Sequence, residues 1–359
     1  GNVKVVARVR PQNELEVKRG GTECVHIVGD AEVHVLEDDS TFKYTFDRVF
    51  GSASTQQETF EYVAKPVVAD VLEGYNATIF AYGQTSSGKT YTMEGPSITD
   101  PELRGIIPRA IAAIYAHLRG CSDAEYKVRV SYLELYNEEL GDLLGDEDAS
   151  AYSAPSTSMM GKSSQNHAAG GKDNKTKKLM LCDSTKGVVC NNLTEVVATS
   201  PKEALEALHK GINQRQVAET QMNKASSRSH SIFTLKMMIK EISLEGVEQI
   251  RYGQLNLVDL AGSECVARSG ATGARGREAG NINQSLLTLG RVINALVDPT
   301  TSHVPYRDSK LTRLLQESLG GRAKTCIVAT LSPSSGAADE TLSTLNYADT
   351  AKGVKNTPV

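Results

Sequence analysis

The stretch from Ala77 to Thr90 contains the residue types that can hold a phosphate group. Its first part, Ala77 to Tyr82, is apolar and aromatic, as in a buried strand, and it runs directly into Gly83-x-x-x-x-Gly88-Lys89-Thr90. The glycines allow backbone N–H groups to wrap a phosphate, and a following helix adds the positive end of its dipole. Lys89 would reach the outer phosphates, and Thr90 would offer its hydroxyl to Mg²⁺. A Gly/Ser turn can match this pattern by chance, but the preceding strand favours a nucleotide site.

A second polar cluster, Asn223 to His230 (NKASSRSH), stands immediately before the strand-like run from Ile232 to Ile239. A loop that only caps a strand has no need of so many hydroxyl groups beside an arginine. The cluster is therefore interpreted as a second group of residues that contacts phosphate.

A third signal is the apolar run from Tyr252 to Leu260, which delivers Asp259 to the end of a predicted strand and continues as Ala261-Gly262-Ser263-Glu264. Phosphate-loop enzymes place a second ligand for Mg²⁺ and a sensor of the γ-phosphate in this way. The pattern D-x-x-G is weak when taken alone. Its strength comes from its order along the chain, after the phosphate loop and the serine cluster.

The remaining sequence supplies elements that position these three segments. Hydrophobic periodicity and capping residues predict strands and helices on either side of each segment. The further predicted strands are Val3 to Val9, Phe42 to Phe50 and Tyr126 to Tyr136, and the predicted helices are Ser54 to Leu72, Ile106 to Leu118, Pro201 to about Gln216, Asn281 to Leu296 and Ala338 to Lys352.

Composition limits the class of protein. With 359 residues, 40% hydrophobic and 23% charged, the chain is expected to be soluble and globular, with no apolar run long enough to cross a bilayer. A net charge of −4 argues against a protein that coats nucleic acid. The six cysteines form no C-x-x-C pair and no signal peptide precedes them, so reduced thiols in the cytosol are expected and ligation of a metal is not.

From Gly145 to about Lys178 the chain is rich in Ala, Ser, Gly and Lys and poor in large apolar residues. Such a segment cannot offset its own ordering entropy, and it is predicted to be a flexible insertion. Its lysines could touch an acidic partner, or the segment could be an inert linker. The sequence leaves both open.

Four motifs together resemble those of the kinesin motor domain, over nearly the whole chain: GQTSSGKT at 83–90, NKASSRSH at 223–230, DLAGSE at 259–264 and HVPYRDSKLTRLLQESLGG at 303–321. The segments 280–296 and 340–356 are most similar to the mitotic, tetrameric kinesin-5 (BimC) group. The resemblance implies an α/β, P-loop NTPase-type motor domain of three layers, with a central mixed, mostly parallel β-sheet flanked by helices on both faces. Residues 1–352 would form this domain, and 353–359 would begin a neck linker.

The resemblance also implies roles for individual residues. Tyr91 would stack on adenine beside Arg8 and Pro11, and Mg²⁺ would lie at Thr90 and Ser227, with Asp259 acting through a water. Gly262 would bond the γ-phosphate, and an ion pair between Arg228 and Glu264 would close the two switch loops. Ser227, Arg228, Asp259, Gly262 and Glu264 are thus the expected catalytic residues, and ATP is expected to be bound by Arg8, Arg10, Pro11, Gln84, Thr85, Ser86, Ser87, Gly88, Lys89, Thr90, Tyr91, Asn223 and Ser226.

ATP is preferred to GTP because neither Asn174-Lys175-Thr176-Lys177 nor Asn223-Lys224-Ala225-Ser226 supplies the aspartate of the guanine-reading N-K-x-D motif.

Charge suggests a surface for a polymeric partner. Between Cys265 and Lys324, nine Lys and Arg stand against four Asp and Glu in a chain that is acidic overall. This could be an ordinary solvated surface, but the family resemblance implies a face for the microtubule, which is strongly negative. The expected contacts are Arg268, Arg275, Arg277, Asn281, Asn283, Arg291, His303, Tyr306, Arg307, Lys310 and Arg313.

The sequence therefore predicts a microtubule-stimulated ATP hydrolase that moves along microtubules, as a plus-end-directed kinesin of the mitotic spindle. Cytoplasmic and cytoskeletal location follows from this, with no nucleic-acid or membrane partner. The fragment is expected to be monomeric and the full-length protein homo-oligomeric, a homotetramer if it is a kinesin-5. One alternative is a nucleotide-regulated protein that grips or crosslinks microtubules with little stepping. A metabolic phosphate-loop kinase or a myosin-like motor fits poorly, because NxxSSRSH and DLAGSE are the kinesin forms.

Overall fold

The computed structural model describes residues 1–121, 124–145, 178–185, 187–222, 226–243, 246–264 and 274–359. For residues 219–222, 226 and 274–283, only the backbone belongs to this description. Most of the insertion predicted at 145–178 therefore lies outside the described residues. No helix within these ranges is long and apolar enough to cross a membrane.

The strands of the described chain are β1 (Lys4–Val9), β2 (Val25–Val28), β3 (Glu32–Glu37), β4 (Ser40–Thr45), β5 (Arg48–Phe50), β6 (Asn76–Tyr82), β7 (Glu125–Tyr136), β8 (Glu139–Asp142), β9 (Met180–Ser184), β10 (Gly187–Asn191), β11 (Val196–Ala198), β12 (Ser229–Ile242), β13 (Glu248–Asp259) and β14 (Lys324–Leu331). The helices are α1 (Glu14–Lys18), α2 (Gln56–Val63), α3 (Lys65–Leu72), α4 (Lys89–Met93), α5 (Ile106–Gly120), α6 (Pro201–Met222), α7 (Ala274–Val297), α8 (Lys310–Leu314) and α9 (Ala338–Ala351).

A central sheet of nine described strands has the order β11-β7-β12-β13-β6-β14-β1-β5, with β8 paired to β7. The pairs from β13 through β6, β14 and β1 to β5 are parallel, and the pairs of β12 and β7 with their neighbours are antiparallel. Six strands (β5, β1, β14, β6, β13 and β7) consequently run in one direction and β12, β11 and β8 in the other. The mixed, mostly parallel sheet expected from the sequence is confirmed.

Helices cover both faces of this sheet. Alternate residues of β6 point to opposite sides, so that Ile79 belongs to one hydrophobic core and Phe80 to the other. The first core contains apolar residues of α2, α3, α5 and α6, and the second contains those of α7, α8 and α9. The three-layer architecture is therefore confirmed.

Two predicted elements are divided in the structure. The helix predicted from Ser54 to Leu72 is α2 followed by α3, because Pro66 at the start of α3 has no N–H to continue the α2 hydrogen-bond ladder. The strand predicted from Phe42 to Phe50 is β4 followed by β5. Asp47 separates these two strands and ties the chain to β1, since its Oδ2 accepts from the Val5 N–H at 2.7 Å.

Gly211 in α6 allows this helix to lie directly on β7. A Cβ atom at Gly211 would lie 2.8 Å from Cε1 of Tyr132 and still closer to Cδ1. The ring cannot swing away easily, because its hydroxyl donates to Glu94 Oε1 at 2.9 Å and its plane meets Phe233 edge-on at 5.2 Å between centroids. This close approach fixes the depth of α6 above the sheet.

We expect Gly211→Ala to lower the free energy of unfolding by about 1–3 kcal/mol, since overpacking outweighs the better helix propensity of alanine. Gly290→Ala in α7 is the matched control, because a Cβ there meets nothing within 4 Å. This control should instead gain about 0.5–1 kcal/mol. Urea unfolding of both variants measures the difference, and a Gly211→Ala protein as stable as the wild type would refute the packing argument.

Candidate functional site

The phosphate loop lies between β6 and α4. Gly88 has a φ of +105° and Ser86 a φ of +62°, both in the left-handed region that an L side chain rarely adopts. The loop is anchored to β14 by a hydrogen bond of 2.6 Å between the hydroxyls of Ser87 and Thr330. Its shape is therefore built into the fold.

Lys89 is buried inside this loop. Its Nζ donates to the carbonyl oxygens of Gly83 (2.9 Å) and Gln84 (2.8 Å). Burial lowers the pKa of Lys89, while Asp259 and Glu264 act in the opposite direction. A phosphate entering the loop would be an additional acceptor for an ammonium group that is already held in position.

Thr90 and Asp259 meet at the inner end of the cleft. The Thr90 hydroxyl donates to Asp259 Oδ2 at 2.6 Å, whereas Oδ1 is buried and has no hydrogen-bond partner in the described part of the chain. Hydroxyl and carboxylate oxygens are the ligands that Mg²⁺ prefers. The described residues contain no group of three His, Cys, Asp or Glu that could hold a metal, so a cation here would complete its shell with phosphate and water oxygens.

The segment after β13 closes onto the other two segments. The Gly262 N–H donates to the Ser227 carbonyl at 2.8 Å, and the Ser263 N–H donates to the Gly83 carbonyl at 3.0 Å. A Cβ atom at Gly262 would lie 2.6 Å from Glu264 Oε1, so a larger residue here would displace the Glu264 carboxylate and the Thr85 hydroxyl. The structure thus brings together the three segments that the sequence suggested separately.

Glu264 has a different partner from the one that the resemblance implied. Its Oε2 accepts from the Thr85 N–H at 2.8 Å, and its Oε1 accepts from the Thr85 hydroxyl. Arg228, the expected partner, has an exposed side chain at the end of the turn Ser226–Arg228. In this structure the carboxylate fastens the third segment to the phosphate loop, and the Arg228 pair stays a prediction.

The base end of the cleft is formed around Arg8 and Tyr91. Arg8 is buried, donates to Gln56 Oε1 at 2.8 Å and to Thr92 Oγ1 at 3.1 Å, and has its guanidinium 5.3 Å from the centroid of the Tyr91 ring. Burial lowers the pKa of Arg8. Tyr91 itself is 46% exposed, which leaves a ring face available for stacking.

Arg10 braces the phosphate loop from outside. Its Nε donates to the Ser86 carbonyl at 2.6 Å, and its two Nη atoms donate to the Glu16 carboxylate at 2.8 and 2.6 Å. Glu16 also accepts from the Ser332 hydroxyl. The hydrogen bonds from Arg10 are the main cause that lowers the pKa of Glu16 to about 2. Arg10 therefore supports Ser86 in its left-handed conformation.

The cleft has a volume of about 650 Å³. The sequence-predicted residues that line it are Arg8, Arg10, Pro11, Thr85, Ser86, Ser87, Gly88, Lys89, Thr90, Tyr91, Ser227 and Asp259. Sequence reasoning missed Gln12, Asn13, Gly51, Ser52 and Ser54, which also line it. The capping-box spacing of Asn13 and Glu16 was the signal that could have drawn attention to this edge. Asn223 lies outside the described residues, and the side chain of Ser226 is not described.

A buried set of charges lies directly behind Asp259. Arg215 of α6 is 3.6 Å from Asp259 Oδ2, 3.6 Å from Glu94 and 3.9 Å from Glu134. Burial lowers the pKa of the Arg215 guanidinium, but Asp259 and the other acidic neighbours outweigh burial and raise it. One cation thus faces three carboxylates, and negative charge remains in excess next to the position suited to Mg²⁺.

Most of the residues expected to face a polymer lie on α7, α8 and the turn Tyr306–Asp308, and His303 lies just before that turn. Arg291, His303 and Arg307 are exposed, while Tyr306, Lys310 and Arg313 are half-buried. Tyr306 donates its hydroxyl to the Leu319 carbonyl, which gives it a structural role. Arg275, Arg277, Asn281 and Asn283 lie on α7 with side chains that are not described, and Arg268 lies outside the described residues.

Acidic side chains hold part of this basic face. Asp183 of the β9–β10 hairpin accepts from Arg307 and Arg313, each at 3.1 Å. In the turn between β7 and β8, the Glu138 carboxylate accepts from the Lys310 N–H at 2.8 Å, and its carbonyl accepts from Lys310 Nζ at 2.6 Å. The face is therefore pre-ordered by carboxylates that occupy the same groups an acidic partner would use.

The chain is similar to known proteins over nearly its whole length. The model of the kinesin motor domain family matches residues 8–354. Kinesin-like protein KIN-5A of Oryza sativa subsp. japonica is 48% identical over 99% of this chain and 33% of its own length, and Klp61F of Drosophila melanogaster is 47% identical over 99% and 32%. The chain spans about a third of the length of such curated relatives. A solved structure of a fast kinesin is 44% identical, with a TM-score of 0.87 over 100% of this chain and 93% of its own.

We expect Arg215→Gln to lower the free energy of unfolding by about 3–5 kcal/mol, because three buried carboxylates lose their cation. The matched control is Arg251→Gln, since Arg251 also pairs with two glutamates, Glu73 and Glu241, but is 31% exposed. The control should lose at most about 1 kcal/mol. Thermal and denaturant unfolding compare the two variants, and equal losses would contradict the buried-charge argument.

Proposed function

The chain belongs to the kinesin motor domain family, and we propose that it is a microtubule-stimulated ATP hydrolase that couples hydrolysis to movement along microtubules. The observation that carries this proposal is the convergence of three phosphate-contacting segments at one cleft, joined by the hydrogen bonds from Gly262 to Ser227 and from Ser263 to Gly83. A change at a bound phosphate can reach all three segments through these bonds.

ATP with Mg²⁺ is the proposed ligand. Lys89 and the backbone of the phosphate loop would bind the phosphates, Tyr91 would stack on the base, and Thr90, Ser227 and Asp259 would hold the cation, with Asp259 acting through a water. The cation would neutralise the charge on the phosphate oxygens. Lys89 alone cannot balance a triphosphate against the acidic residues behind Asp259, which supports binding of nucleotide and Mg²⁺ together.

Hydrolysis needs an ordered water and charge neutralisation more than it needs a covalent step. The Gly262 N–H, the Ser227 hydroxyl and Glu264 lie at the side of the cleft where the third segment meets the phosphate loop. We propose that Gly262 responds to the γ-phosphate and that Arg228 and Glu264 pair when the switch loops close. Glu264 would then exchange Thr85 for Arg228.

The face formed by α7, α8 and the turn Tyr306–Asp308 is the proposed microtubule-binding surface. Its exposed cations include Arg291 and Arg307, and Lys310 and Arg313 lie beside them. Among the basic residues counted in the sequence, Lys324 begins β14 and Arg322 precedes it, so these two lie outside the elements that form this surface. The contacts to an acidic polymer are therefore assigned to α7 and α8.

Residues 353–359 are proposed as the start of a neck linker. Val354 is fully buried, and the Asn356 side chain donates to the carbonyls of Ser318 (2.9 Å) and Ala323 (2.7 Å) and accepts from the Gly320 N–H (2.8 Å). The segment therefore lies docked on the domain against residues 318–323, which lead into β14. Plus-end-directed movement, a role in the mitotic spindle and a homotetrameric full-length protein are inferred from the similarity to KIN-5 proteins.

The test is ATP turnover with and without microtubules, followed by a gliding assay. We expect turnover to rise at least about tenfold with microtubules, to stop when EDTA removes Mg²⁺, and filaments to glide in the presence of ATP. Turnover that is the same with and without microtubules would contradict the proposal. Stimulation without gliding would instead favour a protein that grips microtubules without stepping.

A second expectation concerns Glu264→Ala. This variant should bind a fluorescent ATP analogue nearly as well as the wild type, because most phosphate contacts remain, but its turnover should fall at least about tenfold, or about 1.4 kcal/mol in the barrier. Glu206→Ala, which removes an exposed carboxylate from α6, is the control and should behave as the wild type. Normal turnover in Glu264→Ala would remove Glu264 from the catalytic residues.

A further inference from the structure

His230 occupies a position that the proposed mechanism does not yet use. It lies at the start of β12, two positions after Arg228, and is 2% exposed. Both ring nitrogens are engaged: Nδ1 accepts from the Ala261 N–H at 2.9 Å, and Nε2 lies 2.8 Å from the Ser285 hydroxyl. The ring therefore touches the segment after β13 on one side and α7 on the other.

These hydrogen bonds determine the tautomer. The backbone N–H of Ala261 can only donate, so Nδ1 carries no proton, Nε2 carries one, and Nε2–H donates to Ser285. Burial, together with Arg215 and Lys89, lowers the pKa of His230 to about 3, so the ring stays neutral at physiological pH. A neutral ring with one acceptor and one donor has a single orientation that satisfies both partners.

We propose that His230 is a positioning residue that couples the γ-phosphate segment to α7, which gives this chain a direct connection between nucleotide state and the microtubule-binding face. The inference rests on the proposed function, because it assigns a purpose to the connection only if α7 contacts a microtubule. His230 itself lines neither the cleft nor the exposed surface.

The coupling follows from the position of Ala261. This residue stands between Asp259 and Gly262, and the Gly262 N–H is itself bonded to Ser227. If Gly262 moves towards or away from a phosphate, the Ala261 N–H moves with it. The ring must then follow, or the Ala261 N–H is left as a buried donor without a partner, which is unfavourable.

The α7 end of the connection is equally restrained. Ser285 is 3% exposed, and it shares the inner side of α7 with Thr288 and Leu289, which are fully buried. A displacement that arrives through His230 therefore cannot be absorbed by the rotation of a loose side chain into solvent. It is transmitted to the helix, whose other side is the proposed microtubule-binding surface.

The hydrogen bond between His230 and α7 can be cut from either side. Ser285→Ala removes the bond to α7 and leaves the Ala261 bond intact. His230→Asn places an amide oxygen where Nδ1 was, so it can keep the Ala261 bond, but its side chain is too short to reach Ser285. Thr288→Val is the matched control, because it removes a buried hydroxyl from the same helix without touching His230.

The measurement is the ratio of microtubule dissociation constants in ADP and in a non-hydrolysable ATP analogue. Ser285→Ala and His230→Asn should each reduce this ratio by about fivefold or more. The double variant should lose no more than one single variant, since both changes cut the same connection. Turnover of Ser285→Ala without microtubules should stay close to the wild type, whereas its melting temperature should fall, because the buried His230 Nε2–H loses its acceptor.

Wild-type ratios in all variants would overturn the inference, and so would an equal loss in Thr288→Val or additive losses in the double variant. If His230→Asn does not fold, Ser285→Ala alone decides the question by the same ratio. A wild-type protein that does not bind microtubules would contradict the proposed function instead. The two failures are therefore distinguishable.

Discussion

The site depends on an imbalance of buried charge at the end of β13. Arg215 meets three carboxylates, and the buried Oδ1 of Asp259 has no hydrogen-bond partner in the described residues. A polyphosphate would add negative charge to this region. Electrostatics therefore favours a ligand that arrives with its own cation. The Lys89 ammonium inside the loop adds a fixed positive charge. The same imbalance keeps Arg215 charged and α6 attached to the sheet.

The topology of the sheet explains why distant segments share one site. The strands β1, β6, β13 and β14 are parallel neighbours, so their carboxyl ends lie along one edge. Arg8 and Arg10, the phosphate loop, Asp259 and Thr330 are all delivered to this edge. At this edge β12 begins and β13 ends, and the core on one face of the sheet contains apolar residues of α7. The start of β12 and the segment after β13 can therefore contact both the cleft and α7. His230 and Ala261 lie at this crossing.

Much of the site was predictable from the sequence because its chemistry is local. The phosphate loop, the serine cluster and the D-x-x-G segment each carry their predicted function in a few consecutive residues, and each stands at one end of a predicted strand. The partners of side chains were not predictable. The bond between Glu264 and Thr85, the bracing of Ser86 by Arg10 and the pairing of Asp183 with two arginines each join residues whose proximity depends on the order of strands. The division of the strand predicted from Phe42 to Phe50 was not predictable either. The alternation of aromatic and polar residues continues along this stretch, although the chain leaves the small sheet of β2, β3 and β4 and enters β5 of the central sheet.

The position of Asp183 between Arg307 and Arg313 has a thermodynamic consequence for association. Because these arginines already hold a carboxylate, an acidic surface that binds them replaces one anion by another, and few condensed solvent ions are released in that exchange. The free energy gained at these two side chains is then a difference between two similar contacts. Tight attachment must come from groups whose charge has no carboxylate partner among the described residues, such as Arg291.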